Sequence, residues 1–312
     1  MQNRKVVVIA GPTASGKTAL SIALARRFNG EIVSADSMQI YRRLDIGTAK
    51  ATPEEQSLAP HHMIDIIDPD ENYSVARYVE DASSICDSLL DSGKLPIITG
   101  GTGLYIDSLL SGRDFGASEN PSLRAELELR YNTIGGEAML RELSEFDSER
   151  ASILHAADMK RIVRAFEVYI LSGETITIHD ERTKTLPPRY DSVFIIPGYR
   201  DRSLLYSAID SRVDKMVSEG LFSEVESLLS SGIRDNSTAF QAIGYKEPIM
   251  ALRGEISKEQ AIDMIKQSSR RYAKRQLTWF NRREGAFCVY HEDYPDFEAL
   301  TDAVIKYVKE QL

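Results

Sequence analysis

Gly11-Pro12-Thr13-Ala14-Ser15-Gly16-Lys17-Thr18 follows directly on the apolar run Val6-Val7-Val8-Ile9-Ala10, and this junction decides the fold. The eight residues match G-x-x-x-x-G-K-T, a phosphate loop that needs a buried strand before it and a helix after it. Both are signalled. The apolar run reads as a strand, and Ser15, Ala19, Leu20, Ile22, Ala23, Leu24 and Ala25 supply a helix whose positive end faces the phosphates. The glycines let backbone N–H groups surround phosphate oxygens, Lys17 reaches terminal phosphates, and the Thr18 hydroxyl suits Mg²⁺. An ordinary glycine-rich turn, the competing reading, accounts for neither flanking element. The chain is therefore expected to be a nucleotide-binding or related protein that holds a di- or triphosphate, although the loop does not say which group is transferred.

Strand and helix signals alternate beyond the loop, as in a parallel sheet covered on both faces. Residues 31–35 read as a second strand ending at Asp36, and residues 62–67 as a short third strand near an edge. Ser74 is the expected N-cap of a helix whose apolar positions Val75, Tyr78, Val79, Ala82, Ile85, Cys86, Leu89 and Leu90 run to Gly93. Residues 95–99 form another strand, and Gly100-Gly101-Thr102-Gly103 makes a second glycine turn at its C-terminal end, where open α/β sheets collect ligands. From about Phe115 to Tyr190 helical patterns and charges replace strands, which reads as an insertion; residues 193–199 return to the sheet and helices follow to the end. The expected fold is α/β, a P-loop NTPase-like parallel sheet flanked by helices, with core parts at 1–114 and 191–312 around an inserted all-helical lobe at 115–190. Pro187 and Pro188 mark the hinge candidate, since consecutive prolines do not sit inside a helix.

Composition narrows the function classes. At 312 residues and 42% hydrophobic, the chain is long enough for two domains. No run of about 18 apolar residues suggests a membrane span, and the N-terminus lacks a signal-peptide pattern, so a cytoplasmic location is expected. Cys86 and Cys288 lie far apart without C-x-x-C spacing, which argues against a zinc site or disulfide framework and predicts two buried apolar residues. A net charge of -9 speaks against a general nucleic-acid coat protein, yet an average can hide a local basic surface.

Asp36, at the end of the second strand, is the candidate general base: it faces the expected phosphate crevice, where an acceptor loses a proton as it attacks. Capping the following helix or holding Mg²⁺ through water is the alternative role. Gln39 offers an amide able to pair with a base edge. Residues 270–283 contain Arg270, Arg271, Lys274, Arg275, Arg282 and Arg283 and no acidic residue, the footprint of a polyanion or else a solvated basic face. Trp279, the only tryptophan, and Phe280 can stack on bases or pack in the core. In the insertion Ile162, Val163, Phe166, Tyr169 and Ile170 fall at helical spacing for burial, leaving Lys160, Arg161 and Arg164 as a second basic patch. His61 and His62 are adjacent, point to opposite faces of a strand and read as structural. The chain has no N-K-x-D, no H-R-D with D-F-G and no clear Walker B aspartate, which removes GTPases and protein kinases. A small-molecule kinase remains open on these residues alone.

Six motifs stand in order: Gly-Pro-Thr-Ala-Ser-Gly-Lys-Thr (11–18), Ser-Ala-Asp-Ser-Met-Gln-Ile-Tyr (34–41), Gly-Gly-Thr-Gly-Leu-Tyr (100–105), Lys-Arg-Ile-Val-Arg-Ala-Phe-Glu-Val (160–168), Gln-Ala-Ile-Gly-Tyr-Lys-Glu (241–247) and Arg-Gln-Leu-Thr-Trp-Phe (275–280). Together they resemble the bacterial tRNA dimethylallyltransferase (IPP transferase) family from residue 6 to about 283. The resemblance implies transfer of a dimethylallyl group from dimethylallyl diphosphate to the exocyclic N6 of adenine 37, beside the anticodon of tRNAs reading codons that begin with U. It implies that the loop holds a diphosphate leaving group and that Asp36 takes the N6 proton. Lys17, Thr18 with Mg²⁺, and Arg212 then stabilise the departing diphosphate, and Thr102 helps to place the amine.

The same resemblance assigns tRNA contacts to Asp36, Ser37, Met38 and Gln39, to Thr102 and Arg124, to Lys160, Arg161, Ile162, Val163 and Arg164, and to Gln241, Ala242, Ile243, Gly244, Tyr245 and Lys246. Adenine stacked in an anticodon loop cannot reach such a crevice, so a flipped nucleotide is implied. The basic patches, the second including Arg271 and Arg275, then grip the anticodon stem-loop. Without the C-terminal Cys/His zinc module that eukaryotic relatives append, the chain resembles the bacterial form; a monomer is expected. A prenyltransferase acting on free AMP or ADP needs neither basic patch, and a non-catalytic RNA-binding module has no use for Lys17 beside Thr18.

Overall fold

The computed structural model describes residues 4–112, 120–234 and 237–312. The domain boundary expected at 114–115 lies outside the described residues. Two compact units are formed, one by Met1–Leu110 with Tyr190–Leu312 and one by Ser111–Arg189.

In the first unit β1 (Lys5–Ala10) leads through the phosphate loop into α1 (Lys17–Arg27), followed by β2 (Gly30–Ser34), α2 (Pro53–Leu58), β3 (His61–His62), α3 (Val75–Asp91), β4 (Leu95–Gly100) and α4 (Gly103–Ser111). Local chemistry sets several boundaries. Ser74 caps α3 by accepting the Arg77 N–H, and a reciprocal Thr52/Glu55 capping box with Pro53 starts α2. The expected third strand is cut to two residues because Met63 and Asp65 adopt left-handed φ of 61° and 54°, which a strand cannot continue; only a single bridge, Tyr41 to Ile67, survives of the rest.

The second unit, the insertion, contains α5 (Pro121–Ile134), α6 (Gly136–Phe146), α7 (Ser148–Ile153), α8 (Met159–Ser172) and α9 (Ile176–Lys184). Asn120 caps α5, with Pro121 at its first position. Its core is Leu127, Met139, Leu143, Ile162, Val163, Ala165 and Phe166. Helical spacing overestimated the width of the α8 stripe: Ile170 is 53% exposed, and Tyr169 is 38% exposed and stacks on Phe146 instead, at a centroid distance of 4.1 Å. Glu167 is fully buried beneath this surface. Its carboxylate accepts hydrogen bonds from Arg124 (2.7 Å), Arg164 (2.8 Å) and the Asn120 N–H (3.2 Å). Burial pushes its pKa up, but the hydrogen bonds from Arg164, Arg124 and Asn120 outweigh it and hold the group below its ordinary value.

The chain returns to the first unit as β5 (Asp191–Gly198), α10 (Arg202–Ser218), α11 (Leu221–Ser230), α12 (Lys246–Leu252), α13 (Lys258–Phe280), β6 (Phe287–Tyr290) and α14 (Phe297–Gln311). Strand β6 corrects the expectation of helices alone after residue 199. It pairs with β5 at the sheet edge, which turns Val289 inward and leaves Cys288 exposed, so only Cys86 of the two cysteines is buried. The sheet has the order β3-β2-β4-β1-β5-β6, with every pairing parallel. Because β4 lies between β1 and β2, the connections leaving β1 and β4 diverge, and a crevice opens at the C-terminal ends of these two strands. Residues Val6 to Ala10 are fully buried, and Val7 and Ile9 pack with Leu20, Leu24, Ile32, Ile97, Leu300 and Val304. Each such side chain contributes about 1.5–3 kcal/mol by leaving water, which anchors the rigid side of the crevice. A second cluster joins Ile40, Tyr41 and Leu44 to α10, α11, Phe240, Tyr245 and Ile265 and forms the other side. Among the described residues no helix is long and apolar enough to cross a membrane.

Candidate active site

The phosphate loop is wound by two left-handed residues, Ala14 (φ 63°) and Gly16 (φ 83°), and α1 starts at Lys17. Glycine is required at 16 twice over, for its φ and because a Cβ there would come 2.9 Å from the Phe297 ring. Ser15 Oγ and Lys17 Nζ both donate to the Pro12 carbonyl, at 2.9 and 2.6 Å, and His291 Nε2–H donates to the Ser15 carbonyl at 3.1 Å. Gln276 of α13 joins the two glycine turns: its Oε1 accepts the Thr13 N–H at 2.9 Å, and its Nε2 donates to the Gly101 carbonyl at 3.0 Å.

Asp36 stands just past β2. Its Oδ1 accepts the N–H of Met38 at 2.9 Å and that of Gln39 at 3.4 Å, so this oxygen closes a turn where a helix cap was the alternative weighed, and no helix follows before Pro53; Oδ2 takes no hydrogen bond from the described residues. Thr102 fixes the same turn from behind, its N–H donating to the Ala35 carbonyl (3.1 Å) and its Oγ1 accepting the Ser37 N–H (3.1 Å). The Gln39 amide donates to the Thr48 and Ala49 carbonyls at 3.3 Å each, and its oxygen accepts from Ser34. That amide ties down the loop at 48–49, and Gln39 lines the cavity described next.

Lys17, Thr18, Asp36 and Arg212 line one cavity of about 530 Å³, with Ile209, Val213, Met216 and Ile265 as an apolar wall. Burial, then the nearby Arg212 guanidinium, pushes the Lys17 ammonium down from 10.5 to about 7, against the opposing pull of Asp36. Burial likewise lowers Arg212, with Asp36 and Glu55 acting in the opposite direction. Two cations crowded in a place of low polarity form a cradle that a polyanion relieves.

Several expected contact residues are placed differently. Thr13 to Thr18 line the cavity, whereas Gly11 and Pro12 are buried beneath it. Ser37, Met38, Gln241, Ala242, Ile243 and Arg275 also line it, while Gly244 and Tyr245 are buried and Lys246 is exposed. Side-chain contact of Tyr245 with RNA is excluded, because it is fully buried and its hydroxyl donates to Glu224 at 2.6 Å. The same holds for Ile162 and Val163 in the core of the insertion, where Lys160 and Arg161 are exposed. Arg124 and Arg164 are engaged with Glu167. Arg271 is exposed on α13 outside the cavity. His61 donates to the Ala59 carbonyl and His62 to Glu31, the structural roles expected for them. Gln276, Tyr272 and the apolar wall were missed. The wall had a legible signal, since Ile209, Val213 and Met216 recur at helical spacing around Arg212.

These features define a P-loop protein whose cavity sets two cations and a carboxylate beside an apolar wall. The chain matches the family model described as IPP transferase over residues 39–283 and that described as isopentenyl transferase over residues 4–65. It is 44% identical over 310 residues to a tRNA dimethylallyltransferase of Thermoanaerobacter sp. (strain X514), covering 99% of this chain and 98% of that one. It is 46% identical over 305 residues to that of Alkaliphilus oremlandii (strain OhILAs), covering 97% and 96%. The crystal structure of the full-length tRNA isopentenylpyrophosphate transferase from Bacillus halodurans superposes with a TM-score of 0.74 at 40% identity, covering 99% of this chain and 96% of that chain. A eukaryotic dimethylallyltransferase acting on tRNA superposes at 0.81 with 27% identity, covering 96% of this chain and 77% of that chain. The chain belongs to the IPP transferase family.

Proposed function

We propose that this protein transfers the dimethylallyl group of dimethylallyl diphosphate to N6 of adenine 37 in tRNAs reading codons that begin with U, releasing diphosphate. The observation that carries the reading is the single cavity in which the cationic cradle of Lys17 and Arg212, the carboxylate of Asp36 and an apolar wall meet. The N6 lone pair attacks C1 of the prenyl chain, the C1–O bond breaks, and diphosphate leaves with the bonding pair. Asp36 accepts the N6 proton through the oxygen not used in its turn, and Lys17 and Arg212 take up the charge developing on the leaving group. The apolar wall suits a five-carbon chain and excludes water from the electrophilic carbon.

The donor set also fits Mg²⁺. Among the described residues there is no cluster of three or more His, Cys, Asp and Glu side chains, but the Thr18 hydroxyl is a hard oxygen donor on the cavity, as suits an ion taking most of its ligands from diphosphate and water. Held by Thr18, such an ion would supply neutralising charge to the diphosphate. The exposed cations of α13, and Lys160 and Arg161 of the insertion, bind the anticodon stem-loop. The same reading makes the protein a cytoplasmic monomer, with the residues named for the reaction lining one cavity of this chain.

Incubation with labelled dimethylallyl diphosphate and either unmodified tRNA or AMP tests the assignment. Label in tRNA alone is the expected result. Label in AMP but not tRNA contradicts it, and ATP-dependent phosphoryl transfer without prenyl transfer would make the protein a kinase.

A further inference from the structure

Trp279 stands on α13 one turn beyond Gln276, about 4.5 Å along the helix axis from a residue that lines the cavity. It is 46% exposed, whereas its neighbour Phe280 is buried. The indole is fixed. Nε1–H donates to Asp107 Oδ2 at 2.7 Å, and the other oxygen of Asp107 accepts from Arg283 at 3.1 Å. A Cβ built on Gly103 would lie 2.4, 2.4 and 2.7 Å from Cδ1, Nε1 and Cε2 of the ring. Near-equal distances to three adjacent ring atoms place that point over the ring face and not at its edge. The pyrrole half of the indole therefore lies flat on the Gly103 backbone, and the residue's exposed area lies away from that covered face. A rigid aromatic ring with its N–H satisfied and one bare face loses little entropy when a second ring stacks on it.

Charge identifies the second ring. Arg270 is committed to Asp210 and Arg283 to Asp107, but Arg271, Lys274, Arg275 and Arg282 are exposed, and none of them has an ion-pair partner among the described residues. An uncovered aromatic face among four uncompensated cations fits a nucleobase carrying its phosphates, the pattern by which single-stranded nucleic acid is held. We propose that Trp279 is the stacking platform for an anticodon-loop base adjacent to the reacting adenine. When that adenine leaves the stack to enter the cavity, its neighbour loses a stacking partner, and the indole replaces it. This inference rests on the RNA-prenylating function proposed above.

Because Trp279 is the only tryptophan, fluorescence excited at the red edge of the indole band reports on it alone. Titration of the native protein with an unmodified anticodon stem-loop is expected to quench that emission. A stem-loop with an abasic nucleotide on one particular side of the target adenine is expected to lose the quench, and the same lesion on the other side to retain it. Trp279→Ala is expected to weaken stem-loop binding about 5- to 150-fold, the range of one base–aromatic stack, without weakening dimethylallyl diphosphate binding; Trp279→Phe recovers most of the loss. Prenyl transfer measured in the same samples separates the two readings. Transfer without quenching, quenching indifferent to both abasic sites, or unchanged RNA affinity in a folded Trp279→Ala protein overturns the platform and leaves the function standing. Absence of transfer by the native protein overturns both. Emission that responds to protein concentration and not to RNA assigns the face to a second copy of the chain, which also overturns it. If Trp279→Ala does not fold, the native quench and the abasic pair decide.

Discussion

Replacing Lys17 by methionine is expected to abolish a proton uptake that accompanies diphosphate binding. In the ligand-free cradle the Lys17 ammonium titrates at about 7, because the half-buried side chain is desolvated and faces Arg212. At pH 8 about one tenth of the free protein carries that proton, so a ligand that requires the charged ammonium draws about 0.9 proton per site from solution; at pH 6 it draws about 0.1. Affinity then falls by up to about tenfold per pH unit above 7. Calorimetric titration with dimethylallyl diphosphate in two buffers of different ionisation enthalpy reads the uptake directly. The ligand's own titration appears in both proteins, so the difference between native and Lys17→Met isolates the lysine. Stability gives a second readout with a definite sign. Unfolded Lys17 titrates at 10.5 and native Lys17 at about 7, so between those values the unfolded chain binds more protons, and the ligand-free native protein gains stability with rising pH relative to Lys17→Met. Equal uptake by the two proteins at pH 8 would refute the reasoning.

Other substitutions separate chemistry, RNA grip and scaffold. Asp36→Asn keeps the acceptor of the Met38 N–H but not the base, and is expected to lower the single-turnover rate by about two orders of magnitude or more with tRNA affinity nearly intact; an unchanged rate removes Asp36 from the role. Arg271→Ala with Arg275→Ala should weaken tRNA binding and reduce the slope of log affinity against log salt by about 1.4 to 1.8, whereas an unaltered slope returns both arginines to a solvated face. Glu167→Ala leaves Arg124 and Arg164 without their buried carboxylate and is expected to destabilise the insertion by about 3 kcal/mol, the low end for such a loss because both guanidinium groups are partly exposed; hydrogen exchange in α5 and α8 measures it. The lowered pKa of Glu167 also gives the insertion stability that is present above its unfolded value of 4.5 and lost as pH falls through the folded value. Glu167→Gln should lack that acid dependence.

Where a signal is local, the sequence carried it. Strands β1, β2, β4 and β5, the phosphate loop and α3 with its Ser74 cap follow from apolar runs, glycines and a single hydroxyl, all read within a few residues. The edges escaped. Strand β6 is only four residues long, and β3 is shortened by backbone conformations at Met63 and Asp65 that their side chains do not announce. Contacts distant in sequence were illegible for a different reason. Gln276 reads as one polar residue in a basic helix, yet it meets Thr13, 263 positions away. Arg212 was indicated only by family resemblance, because nothing around it on α10 states that two cations and a carboxylate will share a cavity. In Gln241 to Lys246 a contiguous motif divides in space between the cavity wall and a buried tyrosine held by Glu224.

The most direct test of the account locates the transferred group. Unmodified tRNA reading a UNN codon is incubated with the protein, dimethylallyl diphosphate and Mg²⁺, then digested and sequenced by mass spectrometry alongside an assay of released diphosphate. One dimethylallyl group on N6 of adenine 37 per diphosphate released is the predicted result. Prenylation at another nucleotide, or diphosphate release without prenylated tRNA, would contradict it.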